Sequence, residues 1–154
     1  MDTQRPDNTA LMVDDEPPIR QQCAEALRER GYTVAEAGDG WEALKWLEGN
    51  PPPACIVLDI MLPRMDGLQV LEWRLDTQRV ADVPVVALAP RKANDLFHQF
   101  AGMDRRWVDE LRVAAVIYKP MQRPDLLAAV SETVAWLVAG GRGIPPWGCY
   151  VALR

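Results

Sequence analysis

The chain is short of the residues from which zinc and disulfide centres are built. It has three cysteines and one histidine, His98. Cys23, Cys55 and Cys149 are an odd number with no paired spacing, which reads as reduced thiols in a cytoplasmic protein rather than a disulfide framework. Without a CxxC pair or clustered histidines there is no zinc ligand set. Basic side chains are also the minority: 17 Lys and Arg against 22 Asp and Glu give a net charge of −5. That balance disfavours broad nucleic-acid binding, which calls for a basic surface. No apolar run approaches the ~20 residues of a membrane span, and Met1 to Asn8 lacks the apolar core of a signal peptide. Neither GxxxxGK[ST] nor GxGxxG occurs, which argues against a nucleotide-binding enzyme. What is there is an ordinary globular composition, 49% hydrophobic and 25% charged over 154 residues, enough for one domain with a core.

The informative stretch is Ala54 to Gly67, ACIVLDIMLPRMDG. Four apolar residues without polar alternation precede Asp59, as in a strand buried on both faces. A lone carboxylate inside such a strand would be costly. Asp59 is therefore expected at the strand's carboxyl end, where open α/β sheets bind ligands. Leu11-Met12-Val13 runs in the same way into Asp14-Asp15-Glu16. Neighbouring parallel strands would gather Asp14, Asp15 and Asp59 at one rim, where they repel one another unless a cation lies between them. An all-oxygen donor set suits a hard divalent ion such as Mg2+. A third apolar run, Val116-Ile117-Tyr118, ends in Lys119-Pro120 and would bring an ammonium group to the same rim, suited to an anion.

The rest of the chain alternates strand and helix patterns. A strand is expected over 10–13. A helix opened by Pro17-Pro18 carries an apolar stripe of Ile19, Cys23, Ala26 and Leu27 and stops at Gly31. A polar-alternating strand over 32–37 suits a sheet edge. Asp39 caps a helix over 40–48. After Asp59, a helix opens at 65–67 with Leu68, Leu71 and Leu75 inward. A strand over 84–89 follows, and a last helix over 124–138 ends before Gly140-Gly141. The pattern predicts a parallel α/β sheet with right-handed crossovers. The expected organisation is a lead-in over 1–8, one domain over 9–140, and a tail over 141–154. Trp147, Tyr150 and Leu153 would dock that tail on the domain or on a second copy. Only 15 residues follow Ala139, so a stand-alone domain is expected.

Asp14-Asp15, the run LDIMLPRMDG around Asp59, and Lys119-Pro120 occur together, in order, each at a strand end. In this they resemble the receiver domain of two-component response regulators, the CheY-like family, over roughly residues 8 to 139. The resemblance implies a three-layer α/β/α fold, with a five-stranded parallel sheet in order 2-1-3-4-5. It implies that Asp59 is the phosphoacceptor, served by a histidine kinase or phosphotransfer protein. Asp15 would bind Mg2+ directly, Asp14 through water, and Met61 through its backbone carbonyl, while Lys119 contacts the phosphoryl group. It further implies a signalling module that self-dephosphorylates slowly, not a metabolic enzyme, acting as a monomer or weak homodimer on a downstream protein. The residues also admit plainer readings. Asp59 could cap loop amides, Asp14 to Glu16 could serve the following helix N-terminus, and Lys119 could merely precede a rigid turn. A haloacid-dehalogenase-type phosphatase would want a second Asp two residues after Asp59, where Met61 stands.

The sequence departs from the family pattern at two places. Where the family has Thr or Ser at the end of the fourth strand, this chain has Ala89. Where the family has Tyr or Phe three residues before the lysine, it has Val116. Both moving parts of the usual switch are therefore replaced, and a module read by partners whatever the state of Asp59 is the alternative function. Arg91 or Lys92 could supply a phosphoryl contact, or be a solvated cation pair. The 30 positions from Ala89 to Lys119 are several more than the family spends there. Two helices, 93–100 and 105–111, are expected in that stretch, as an altered partner surface or as a packed insertion around Phe97, Phe100 and Trp107.

Overall fold

The fully apolar runs settle into the middle of one sheet. A computed structural model describes residues 8–90, 110–119, 123–141 and 151–153. Its strands are β1 (Thr9–Val13), β2 (Thr33–Ala37), β3 (Cys55–Asp59), β4 (Val85–Pro90), β5 (Ala115–Lys119) and β6 (Val151–Leu153). The helices described between them are α1 (Pro17–Glu29), α2 (Gly40–Gly49), α3 (Gly67–Leu75) and α4 (Arg123–Val138). The sheet order is β2-β1-β3-β4-β5-β6. The first five strands are parallel, and β6 pairs antiparallel with β5.

Alternation along each strand divides the core into two layers. Leu11, Val13, Ile56, Leu58, Val85, Ala87, Ala89 and Val116 pack under α2 and α3. Ala10, Met12, Cys55, Val57, Val86, Leu88, Ala115 and Ile117 pack under α1 and α4. Residues such as Leu11, Leu58 and Leu88 are wholly buried, each contributing about 2 kcal/mol of transfer free energy. Strand β2 mixes exposed Thr33 and Glu36 with buried Val34 and Ala37, and is less buried than the central strands, as befits its place at the sheet edge.

Local chemistry sets the helix ends. Pro17 and Pro18 occupy the first turn of α1, where a missing N–H costs nothing. The chain leaves α1 through Gly31 at φ 94°, a left-handed conformation natural to glycine. The Asp39 side chain accepts from the Glu42 amide at the start of α2 (2.8 Å). Asp66 and Gln69 form a reciprocal capping box at the start of α3, satisfying two otherwise orphaned amides.

Two expectations need correcting. The inward face of α3 is Gly67, Leu68, Val70, Leu71 and Arg74, with Leu75 only partly buried. The stripe is therefore rotated from Leu68, Leu71 and Leu75, because the arginine at position 74 occupies a core position. Strand β5 also begins one residue earlier than expected and includes Lys119. The helix expected over 93–100, residues 105–109 of the helix expected over 105–111, the cation pair Arg91/Lys92, the bond between Lys119 and Pro120, residues 1–7, and Trp147 and Tyr150 lie outside the described residues. From Glu110 the chain turns through Arg112 (φ 52°) toward β5.

Candidate functional site

The site follows from strand register. Val13 of β1 is level with Leu58 of β3, so the next residues along, Asp14 and Asp59, emerge side by side at the carboxyl edge. Asp59 is in turn level with Leu88 of β4, and Pro90 of β4 is level with Lys119 of β5. Lys119 thus stands at the same edge, two strands or roughly 10 Å across from Asp59.

Both buried carboxylates are oriented by one local device. The Glu16 amide donates to Asp14 Oδ1 (2.9 Å), and the Met61 amide donates to Asp59 Oδ1 (2.9 Å). Each is a side chain bonding the backbone two residues on, which bends the chain sharply at the strand end. Asp14 is further fixed by its own amide on the Ala37 carbonyl (3.1 Å) and by Arg20 Nη1 on its carbonyl (3.0 Å). Asp14 is fully buried, Asp59 nearly so, and Asp15 is exposed. One carboxylate oxygen from each of the three lies within 4.8 Å of the others. The set is all oxygen, with two donors held by the scaffold and one facing solvent. Such a set fits a hard divalent cation that keeps part of its water.

The turn that follows Asp59 is held tightly. The Ile60 amide donates to the Leu88 carbonyl and the Gly67 amide to the Ile60 carbonyl (both 3.1 Å). A Cβ on Gly67 would lie 2.5 Å from Ile60 Cα and 2.7 Å from the Asp59 carbonyl oxygen. Glycine is required there because α3 begins against the backbone of the candidate phosphoacceptor. Ala89 and Val116 are both fully buried, in the core layer under α2 and α3. An aliphatic wall therefore stands where a hydroxyl and an aromatic ring were the family expectation.

Sequence reasoning missed two contacts. Arg20 holds the Asp14 carbonyl, and Arg64 donates from Nε (2.9 Å) and from Nη2 to Asp39 Oδ2. Asp39 and Arg64 are 25 positions apart, and no local pattern relates them. Burial raises the Asp39 carboxyl, but the Glu42 amide and the Arg64 guanidinium together outweigh it and leave the pKa lowered.

Residues 10–131 match the response regulator receiver domain family. That match spans most of the chain, which belongs to this family, the receivers of two-component systems. Among curated relatives, Response regulator MprA of Mycobacterium ulcerans (strain Agy99) is 36% identical over 118 residues, covering 77% of this chain and 46% of the relative. MprA of Mycobacterium leprae (strain TN) is 35% identical over 120 residues, covering 78% and 48%. The chain spans about half the length of these relatives. Among solved structures, the phosphorylated cyanobacterial phytochrome response regulator RcpA gives a TM-score of 0.70 at 25% identity, covering 86% of this chain and 95% of that one. The Vibrio cholerae chemotaxis regulator CheY4 gives 0.66 at 23% identity, covering 82% and 97%, and speaks to the fold. The five parallel strands follow the CheY-like order. Among the described residues, no helix is long and apolar enough to cross a membrane.

Proposed function

We propose that the chain is a phosphoacceptor receiver. Asp59 takes a phosphoryl group from the phosphohistidine of a histidine kinase or phosphotransfer protein. An Asp59 carboxylate oxygen bonds to phosphorus as the P–N bond breaks, giving an acyl phosphate and a neutral histidine on the donor. The observation that carries this reading is the convergence of Asp14, Asp15 and Asp59 oxygens within 4.8 Å at the carboxyl edge. Asp15, Asp59 and the Met61 carbonyl would hold Mg2+ directly, and Asp14 would hold it through a water. When bound, the ion neutralises charge on the transferring phosphoryl oxygens. Met61 fixes the acceptor through its amide, and Lys119, at the same edge, supplies the second positive charge. Such a protein is a signalling component of the cytoplasm, with at most slow self-dephosphorylation, and not a metabolic enzyme.

The test is incubation with acetyl phosphate and Mg2+, read by intact mass. The wild type should gain one phosphoryl group, Asp59→Ala should not, and chelation of Mg2+ should abolish the gain. No Mg2+-dependent gain in the wild type would reject the reading.

A second reading rests on Ala89 and Val116, fully buried aliphatics at the two switch positions. In it, partners bind the domain whatever the state of Asp59. Partner binding unchanged between beryllofluoride-loaded protein and Asp59→Ala would favour it.

A further inference from the structure

We propose that Arg64 and Asp39 form a positioning pair for the cation site, clamping the loop that presents Met61. The inference rests on the phosphoacceptor reading.

The loop from Asp59 to Gly67 is fastened at its root by the Met61 amide on Asp59 and the Gly67 amide on Ile60. Its crown is a tight turn in which the Met65 amide donates to the Pro63 carbonyl (2.7 Å), with Arg64 at φ 64°. An arginine does not choose a left-handed conformation unaided. Here its side chain is held by two donors on one oxygen of Asp39. That carboxylate is itself anchored, because its other oxygen caps α2 through the Glu42 amide. One residue further, a Cβ on Gly40 would lie 2.1 Å from the Met65 carbonyl oxygen. Backbone therefore meets backbone beside the ion pair, and the crown rests on the start of α2. Met61 stands between these two fastenings. Releasing the crown loosens the stretch that carries Met61; direct partners of metal ligands typically change metal affinity 10- to 100-fold, and a clamp one step removed is expected at the lower end of that range.

The sign of the effect separates positioning from plain electrostatics. Arg64 carries its positive charge on the loop that follows Asp59. If charge alone mattered, Arg64→Ala would strengthen Mg2+ binding. If Arg64 positions the loop, the same change weakens it.

The experiment is Mg2+ titration by calorimetry, with urea denaturation of the metal-free proteins alongside. Arg64→Ala is expected to weaken Mg2+ binding about tenfold. Asp39→Asn keeps an oxygen for the α2 cap and should weaken it comparably, and the double variant should be no worse than the weaker single. Arg79→Ala is the control. Arg79 ties the segment after α3 to the carboxyl end of α2 through the Leu47 and Asn50 carbonyls, at the far end of the sheet. It should lower the urea midpoint and leave Mg2+ affinity alone. Unchanged or tighter binding by Arg64→Ala overturns the proposal. Should that variant fail to fold, Arg64→Lys replaces it, with a several-fold loss expected and wild-type affinity overturning the proposal. A wild type that binds no Mg2+ in the same titration overturns the phosphoacceptor reading instead.

Discussion

Arg74 donates to the Val83 carbonyl through both Nε (3.1 Å) and Nη2 (2.8 Å) while only 2% exposed. Nη1 reaches the Leu111 carbonyl (3.1 Å) and Nη2 also the Arg112 carbonyl (3.4 Å). One guanidinium thus joins α3 to the approaches to β4 and β5, which have no backbone ladder between them at that point. Its five donors in a rigid plane suit the task as a lysine would not.

Replacing Arg74 by Met keeps much of the apolar stem but strands the buried carbonyls it served. Urea denaturation should show a loss of about 3 kcal/mol. A loss below about 1 kcal/mol would mean that water or neighbouring groups satisfy these carbonyls. Mg2+ affinity should be little changed, since the contacts lie at the opposite end of the sheet from Asp59.

Two glycines should respond in opposite ways to the same substitution. Gly67→Ala forces a Cβ against the Ile60 and Asp59 backbone, and overpacking of this kind costs about 1–3 kcal/mol. It should also reduce phosphoryl uptake, because the displaced group is the backbone of Asp59. Gly49→Ala meets nothing within 4 Å at the end of α2, and should be neutral or stabilise by up to ~1 kcal/mol. Paired thermal melts and acetyl phosphate labelling check both.

Burial pushes the Cys55 thiol up to about 12, against the smaller opposing effects of a backbone hydrogen bond with Ile56 and the charge of Arg74. The reactive form is the thiolate. Iodoacetamide at about pH 8, where a free thiol is partly ionised, should label Cys55 only as fast as the protein opens, as peptide mapping would show. Linkage follows from the same shift. The folded protein holds this proton longer than the unfolded chain, so its stabilising contribution is intact below about pH 8.5 and is lost as pH climbs toward 12. Cys55→Val should show a shallower alkaline decline than the wild type. Labelling of native Cys55 at the rate of a free thiol would contradict the burial.

The central strands and the acidic rim were legible because they rest on short-range patterns. Unbroken apolar runs ending at Asp14 and Asp59 mark doubly buried strands, and parallel pairing then brings their ends together. Capping by Asp39 was equally local. What escaped is non-local. Nothing near Arg74 signals that an arginine faces the core, since the carbonyls that satisfy it lie as far off as Leu111 and Arg112. Nothing near Arg64 points to Asp39. The antiparallel strand β6 was hidden for a related reason: three residues, Val151 to Leu153, are too few to carry a period, and only pairing with β5 makes them a strand.

That last pairing bears on how other proteins can meet this one. Residues 115–117 of β5 are matched to residues 151–153 of the same polypeptide. The backbone there is already engaged within the chain, so a visiting extended peptide would have to displace it. The sheet ends at β6, so an extended peptide joining that flank would otherwise have to pair with a strand only three residues long, which offers few backbone groups.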